Sequence, residues 1–197
     1  MKKVTQTLIL LLILTFGACN NQPEKEPQTQ KQKNHAELII SLYSLSETEM
    51  TTIMSKEGYT LDAKDGDTYD YHKTDKNTVY KIYVYINNSR VSYVSSDVEQ
   101  LSNISSQCID WLDSAEQNGY SIMYPNLCSV QFENGKEIEA FSTIAALKEV
   151  IKGKKDGQLD NVSVVLFNKS RKAFGFSFEY YDYDNLDYSV EFNMESE

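Results

Sequence analysis

Cys108 and Cys128 are the first candidates for covalent chemistry. Cys108 lies on an apolar helical stripe, and Cys128 alternates with Val130 and Phe132 on the inner side of a predicted strand. Both thiols are therefore expected to face the same core, where they either form a disulfide or pack as small apolar groups. A catalytic thiol needs an electropositive, partly exposed site, and this pattern does not offer one.

The histidines and the known catalytic motifs give little further chemistry. The two histidines, His35 in a polar stretch and His72 in a polar hairpin, are too few for a histidine-rich zinc site. The sequence has no Gly-x-Ser-x-Gly elbow, His-Glu-x-x-His, Cys-x-x-Cys, Walker loop or dinucleotide fingerprint. We predict no cofactor and no catalytic residue. A hydrolase that uses two carboxylates stays open, because such a pair leaves no spacing signature among the 29 acids.

Two acidic turns offer oxygen ligands of the kind that calcium takes. They contain Asp62, Asp65, Asp67 and Asp70 around Gly66, and Asp182, Asp184 and Asp187 around Asn185. The first turn does not fit an EF-hand, because Leu61 and Ala63 occupy two ligand positions and His72 stands in place of the bidentate Glu. We therefore predict solvated acidic hairpins and no metal site.

The tyrosines give the best candidate for a binding surface. Four of the fourteen alternate out of phase with the apolar residues of their strands: Tyr83, Tyr85, Tyr181 and Tyr183. An exposed row of such rings would stack on sugars or anchor a protein partner. The alternative is structural, since tyrosine favours half-buried strand positions and pairs with neighbours across a sheet.

The amino terminus has the pattern of an export signal. Lys2 and Lys3 precede the aliphatic run from Leu8 to Leu14, which is far shorter than the 18 or more residues of a transmembrane helix. The small residues Gly17 and Ala18 then precede Cys19. This arrangement resembles a bacterial lipoprotein signal, although Phe16 replaces the aliphatic residue usual three positions before the cysteine. The resemblance covers about 20 residues and implies removal of residues 1–18, lipidation of Cys19 and a membrane-anchored protein of the bacterial cell envelope. The alternative is an ordinary secretory signal.

A polar segment follows Cys19 and lacks aromatic and large aliphatic residues. It runs from Asn20 to Ala36 and carries two of the three prolines. A flexible chain of this length has a root-mean-square reach of about 20–25 Å, enough to hold a domain above lipid headgroups. We predict a tether over residues 19–36 and a folded body over residues 37–197.

Three helices are predicted in the body. A Ser46-to-Glu49 capping box opens the first, which ends at Gly58, and a second box from Ser96 to Glu99 is expected to open a longer helix that ends at Gly119. Its apolar stripe is Leu101, Ile104, Cys108, Trp111, Leu112 and Ala115. A third helix is predicted from Thr143 to Lys152, ending at Gly153.

Period-two alternation predicts the strands. It gives a hairpin on either side of the turn at residues 87–89, a second hairpin on either side of Asn185, and a neighbouring strand from Val162 to Phe167. Short polar turns join antiparallel strands, and one-sided alternation buries one face of the sheet under helices. The predicted fold class is α+β, with antiparallel sheet and helices packed on one face.

A short internal similarity suggests two α-then-β units, 37–95 and 96–197. Residues 56–61 and 117–122 both read as a helix end followed by Gly, Tyr, a small hydroxyl residue and an aliphatic one. Two unrelated uses of one capping solution explain the match equally simply. The order resembles the tandem helix-plus-four-strand plan of β-lactamase inhibitor proteins and related envelope lipoproteins. The resemblance is of architecture alone and carries no functional residue.

Charge narrows the range of partners. The chain has 19 Lys and Arg against 29 Asp and Glu, so it lacks the cationic surplus that nucleic-acid binding requires. We predict a lipid-anchored, non-enzymatic binding module that contacts the membrane through its anchor and takes a protein or glycan partner. The alternatives are an envelope hydrolase acting on sugar or cell-wall polymers and a carbohydrate-capture lipoprotein.

Overall fold

The structure is a computed structural model that describes residues 34–182 and 187–196. These residues form four α-helices: α1 (His35–Leu42), α2 (Glu47–Lys56), α3 (Ile104–Gln117) and α4 (Ile144–Ile151). A short 3₁₀ turn, Pro125–Leu127, precedes the fifth strand. None of these helices is both long and apolar enough to cross a membrane.

Nine strands form one antiparallel sheet in the order β1-β2-β3-β4-β9-β8-β7-β5-β6. The strands are β1 (Thr60–Asp65), β2 (Thr68–Asp75), β3 (Thr78–Asn87), β4 (Arg90–Leu101), β5 (Cys128–Phe132), β6 (Glu137–Glu139), β7 (Leu159–Phe167), β8 (Lys172–Asp182) and β9 (Asp187–Ser196). The chain is therefore an α+β protein with an antiparallel sheet, as the alternating patterns predict. Both predicted hairpins and the strand ending at Phe167 are present.

Alternate strand residues enter one hydrophobic core together with the apolar sides of the helices. Ile82 and Val84 of β3 and Phe174 and Phe192 of the later strands are completely buried. Trp111 of α3 packs edge-on against Phe192, with ring centroids 4.9 Å apart. Because the core contains residues from α1 to β9, the sheet and helices stabilise each other.

The helix predicted to begin at Ser96 is wrong. Residues 96–99 continue β4, with Ser96 and Val98 buried and Asp97 and Glu99 on the other side of the strand. The strand pairs with both β3 and β9, and these backbone ladders outweigh a local capping box. The boundary proposed between residues 95 and 96 thus falls inside a strand.

The true start of α3 uses an acid that is distant in sequence. Asn103 adopts a left-handed conformation and its side chain makes no cap hydrogen bond. Instead, the Asp156 carboxylate accepts from the amides of Asn103 and Ile104, at 2.6 and 2.9 Å. Ile104, Cys108, Trp111, Leu112 and Ala115 then form the buried stripe expected from the sequence, whereas Leu101, also expected there, is the last residue of β4.

The tether predicted to extend to Ala36 is too long. Asn34 caps α1 by accepting from the Glu37 amide, and Ala36 is completely buried. Asn34 also donates to the Asp110 carbonyl and to Ser114 Oγ of α3. The ordered body therefore begins no later than Asn34.

The two similar six-residue segments share their backbone geometry. Gly58 and Gly119 have φ angles of +83° and +82°, a region that favours glycine. The Tyr59 amide donates to the Met54 carbonyl at 2.9 Å, and the Tyr120 amide donates to Ala115 at 3.0 Å. Each helix therefore ends with the same turn and a buried tyrosine.

We expect Asp156→Ala to lower the free energy of unfolding by about 1–2 kcal/mol, because two amides at the start of α3 lose their acceptor. Urea unfolding followed by circular dichroism measures the loss. Asp156→Asn keeps one side-chain oxygen and should be affected less. Equal stability of Asp156→Ala and the wild type would contradict this cap.

Candidate functional site

Tyr83 and Tyr85 lie on the face of β3 opposite to Ile82, Val84 and Ile86. Tyr83 is partly buried and Tyr85 is 45% exposed, whereas the three aliphatic residues are buried. We call this side of the sheet the open face. Tyr93 of β4 is opposite Tyr85, and its hydroxyl donates to Asn193 Oδ1 at 2.9 Å.

Strand register separates Tyr181 from this group. Tyr83 pairs with Ser95, Ser95 with Asn193, and Asn193 with Gly175 of β8. Tyr181 is six residues further along β8, a displacement of about 20 Å at the usual rise of a strand. Tyr183 lies outside the described residues. Tyr181 therefore does not lie beside Tyr83 and Tyr85, because alternation predicts a face but not the position along it.

A trough of 410 Å³ lies on the open face, beside Tyr93. Its lining includes Ser163, Gly175, Ser177, Asn193 and Glu195. Gly175 has no side chain to fill the base of the trough. A Cβ added there would lie 3.1 Å from the Val164 carbonyl oxygen. Small side chains beside an aromatic wall make a concave surface that an extended or planar group can enter.

A polar row crosses the open face through all nine described strands. Successive register partners are Thr60, His72, Lys81, Asp97, Glu191, Ser177, Ser163, Ser129 and Glu139. Asp97 and Glu191 are direct neighbours of like charge, an arrangement that costs stability. Partial burial raises the pKa of the Asp97 carboxyl, while the Lys81 ammonium acts in the opposite direction. Lys81 bonds Glu99 at 2.7 Å.

A second concavity, of 250 Å³, lies near the start of α1. His35, Tyr59, Tyr80 and Trp111 contribute rings to it. Its charged lining residues are Glu57, Lys73, Asp75 and Asp110. Lys73 donates to the Glu57 carbonyl at 2.9 Å, so its ammonium is already engaged. We call this concavity the His35 cleft.

The ring of His35 is held in a chain of hydrogen bonds. Ser96 Oγ donates to the Lys81 carbonyl at 2.6 Å and therefore accepts from His35 Nε2 at 2.7 Å. The Tyr59 hydroxyl lies 3.3 Å from His35 Nδ1 and donates to it. Burial lowers the pKa of His35 to about 3, and the nearby Lys73 charge acts in the same direction. His35 is thus neutral at physiological pH, and both nitrogens have partners.

This Ser–His pair does not form a nucleophilic site. Ser96 is completely buried, and its proton is committed to a backbone carbonyl rather than to the imidazole. A substrate carbonyl could not reach Oγ without displacing β-sheet. The chain of bonds satisfies polar groups inside the core and fixes α1 on the sheet.

Cys108 and Cys128 are free and buried, so the structure contains two packed thiols and not the disulfide. Burial raises the pKa of both thiols. Cys128 Sγ lies 3.8 Å from the Val165 carbonyl. Both thiols are therefore poor nucleophiles.

The acidic turn at Gly66 joins β1 to β2. Asp62 bonds His72 at 2.6 Å, so one of its oxygens has a protein partner. Asp184 and Asn185 of the second turn lie outside the described residues. Among the described residues, no three His, Cys, Asp or Glu side chains are grouped closely enough to hold a metal ion.

No protein-family model, curated protein or solved structure matches the chain. The function of each candidate surface is therefore inferred from its geometry and chemistry alone.

Sequence reasoning missed the His35 cleft and the trough. Asn34 followed three residues later by Glu37, ahead of Leu38 and Ile39, was a usable signal for the start of α1. Gly175 within an aromatic strand was a second signal, since glycine there marks a close approach or a gap. The pairing of β4 with β9, which brings these residues together, had no local signal.

We expect the free energy of unfolding to fall less steeply at acidic pH in His35→Gln than in the wild type. The pKa of His35 in the folded protein, about 3, lies below the ordinary histidine value of 6.5, so the unfolded chain binds the proton first. The contribution of neutral His35 to the free energy of unfolding is complete above pH 6.5. It is lost as the pH falls from 6.5 towards 3, and the free energy of unfolding then falls by up to about 1.4 kcal/mol per pH unit. Urea unfolding of both proteins across this range measures the difference.

His72→Gln is the matched control, because His72 is exposed and lies outside the core. The loss of stability that His35 causes as the pH falls from 6.5 towards 3 should persist in this variant. Parallel profiles for the wild type and His35→Gln would show that His35 does not carry this pH dependence.

Proposed function

We propose that this protein is a lipid-anchored envelope protein that acts as a non-enzymatic binding module, with the open face of its sheet as the binding surface. The observation that carries the proposal is the combination of Tyr83, Tyr85 and Tyr93 with a trough of 410 Å³ on that face. Flat amphipathic rings beside a concavity lined by small residues are suited to holding a partner without covalent chemistry.

The charge of the open face supports a basic partner. Asp97, Glu191 and Glu195 lie near the tyrosines, and Glu99 neutralises the nearby Lys81. Opposite charges across an interface accelerate encounter and fix orientation. Binding to such a partner should weaken as salt increases.

The helices are inferred to cover the other side of the sheet. α1 contacts β4 and β9, α2 contacts β4, and α3 contacts α1 and α4. Their buried residues share one core with Ile82, Val84 and Phe192. One covered face leaves the opposite face available along its whole width.

The strand order also supports an origin from two α-then-β units. β1 to β4 form one series, and the later strands form a second in the order β9, β8, β7, β5 and β6, with β5 inside β6. The last strand of each series, β4 and β9, pairs with the other at the centre. The matching turns at Gly58 and Gly119 occupy corresponding positions before each series. The boundary between these units would follow β4.

A hydrolase is the second candidate function, because one observation favours it. Asp97 has a raised pKa, as a general acid requires, and Glu191 faces it on β9. The pair lies on an open surface and not in an enclosed cleft, which favours binding over catalysis. Conversion of a captured glycan, lost in Asp97→Asn, would replace the binding proposal with this one.

We expect cross-linking of the anchored protein in its native envelope to capture one partner, and Tyr83→Ala with Tyr85→Ala to abolish the capture. Both rings lie outside the core, so the thermal midpoint should change little. Mass spectrometry identifies the captured molecule, and thermal unfolding checks the fold.

Two controls separate ring contact from general surface change. Tyr83→Phe with Tyr85→Phe keeps the rings and should retain most of the capture. Leu61→Ala removes another exposed apolar side chain, which is 47% exposed on β1, and should retain all of it. Unchanged capture by the double alanine variant would eliminate these rings as the binding surface.

We expect alkyne-palmitate fed to producing cells to label the wild type and not Cys19→Ser, because Cys19 is the proposed lipid attachment site. Fluorescence after coupling of the alkyne measures the label. The double variant Cys108→Ser with Cys128→Ser removes the two buried thiols and should remain labelled. Label that persists in Cys19→Ser would refute attachment at this residue.

A further inference from the structure

Exposed apolar side chains concentrate in one short segment. Met123, Tyr124 and Leu127 are 43%, 40% and 39% exposed, and they surround the 3₁₀ turn before β5. Among the residues that the structure describes, the other large apolar side chains with comparable exposure are Leu61 and Tyr85, which lie on separate strands. Single exposed apolar residues are ordinary, whereas a group on one loop indicates a contact surface.

The turn between β7 and β8 lies beside this segment. The ring of Tyr124 packs edge-on against Phe167, with centroids 5.2 Å apart. Ser121 and Phe167 exchange two backbone hydrogen bonds, at 2.9 and 3.0 Å. The exposed residues Lys169 and Arg171 follow Phe167 directly. Apolar and basic side chains therefore meet at one end of the sheet, and we call Met123, Tyr124, Leu127, Lys169 and Arg171 the end patch.

The end patch differs in charge from the chain as a whole. The protein has a net charge of −10, yet residues 120–132 and 162–178 contain no Asp or Glu. The second of these stretches carries Lys169, Arg171 and Lys172. Glu195 of the neighbouring strand β9 is opposite Ala173, at the start of β8. A basic and apolar surface on an acidic protein is complementary to an anionic surface with an apolar layer beneath it.

We infer that the end patch docks onto the anionic headgroups of the membrane that holds the lipid anchor. Tyr124 has the amphipathic ring typical of membrane interfaces, and Met123 and Leu127 supply apolar area beside it. Basic residues near an anionic lipid surface strengthen binding to it. The patch is too small to bind a membrane alone, but the tether keeps it at high effective concentration.

This inference rests on the proposed anchoring, and it adds an orientation. The end patch lies where β7 ends and β8 begins, so docking would set one end of the strands on the lipid. The strands would then point away from the membrane, so the open face would not be covered by lipid and would remain accessible to a partner.

The experiment uses chemical anchoring, so it does not depend on lipidation in the cell. A chain that begins at Cys19 keeps every residue of the core. It is coupled through the Cys19 thiol to a maleimide lipid in vesicles of phosphatidylglycerol and phosphatidylcholine with brominated acyl chains. The buried thiols of Cys108 and Cys128 are protected from coupling.

Tyrosine 124 is replaced by a fluorescent reporter, Tyr124→Trp, and Leu61→Trp is the matched control of similar exposure on β1. The natural Trp111 is 2% exposed and gives a constant background. We expect bromolipid quenching to be several-fold stronger for Tyr124→Trp than for Leu61→Trp. Lys169→Glu with Arg171→Glu should remove the difference, whereas Lys56→Glu with Lys76→Glu should preserve it.

Equal quenching at the two positions would overturn the inference. Strong quenching of Tyr124→Trp that persists in pure phosphatidylcholine and after charge reversal would overturn the anionic part of it. If the end patch instead becomes protected when the envelope partner is added, with no quenching by lipid, the patch is a protein interface. None of these results bears on whether Cys19 is lipidated in the cell.

Discussion

The antiparallel pairing of β4 with β9 is the contact on which the rest of the structure depends. Ser96 is opposite Phe192 and Val98 is opposite Val190 at the centre of the sheet. We call this β4–β9 pairing the seam. Without it, the strands would form two separate groups, of four and five strands. Phe192 packs against both His35 and Trp111, so α1 and α3 are positioned by residues of the same seam. The open face, the His35 cleft and the buried core are all consequences of one long-range pairing.

Much of the fold could be predicted from local patterns, because these patterns and the final contacts agree. The capping box at Ser46 does open α2, and Thr143 does cap α4. The alternation of β3, β8 and β9 gives the correct strands. In each case the interactions that decide the structure lie within a few residues of one another.

Prediction failed where a distant partner decides the local structure. Ser96 has the sequence of a helix cap, but its hydroxyl turns inward to bond His35 and the Lys81 carbonyl. His35 stands in a polar stretch, yet its polar groups are satisfied by Tyr59, which directly precedes β1, and by Ser96 of β4. The face of Tyr83 and Tyr85 could be predicted from alternation. The distance of Tyr181 from them could not, because register across four strands is set by the seam.

The two edge strands of the sheet, β1 and β6, are poorly suited to pairing with another molecule. Free strand edges offer unpaired backbone groups to neighbouring molecules and promote aggregation. β6 has only three residues, and every residue of β1 is exposed, with Asp62, Lys64 and Asp65 among them. A bulge between Leu61 and Ala63 further interrupts the regular edge. The proposed lipid anchor would confine copies of the protein to two dimensions, where they would meet often. Short, charged and irregular edges would then keep neighbouring copies from joining their sheets into fibres.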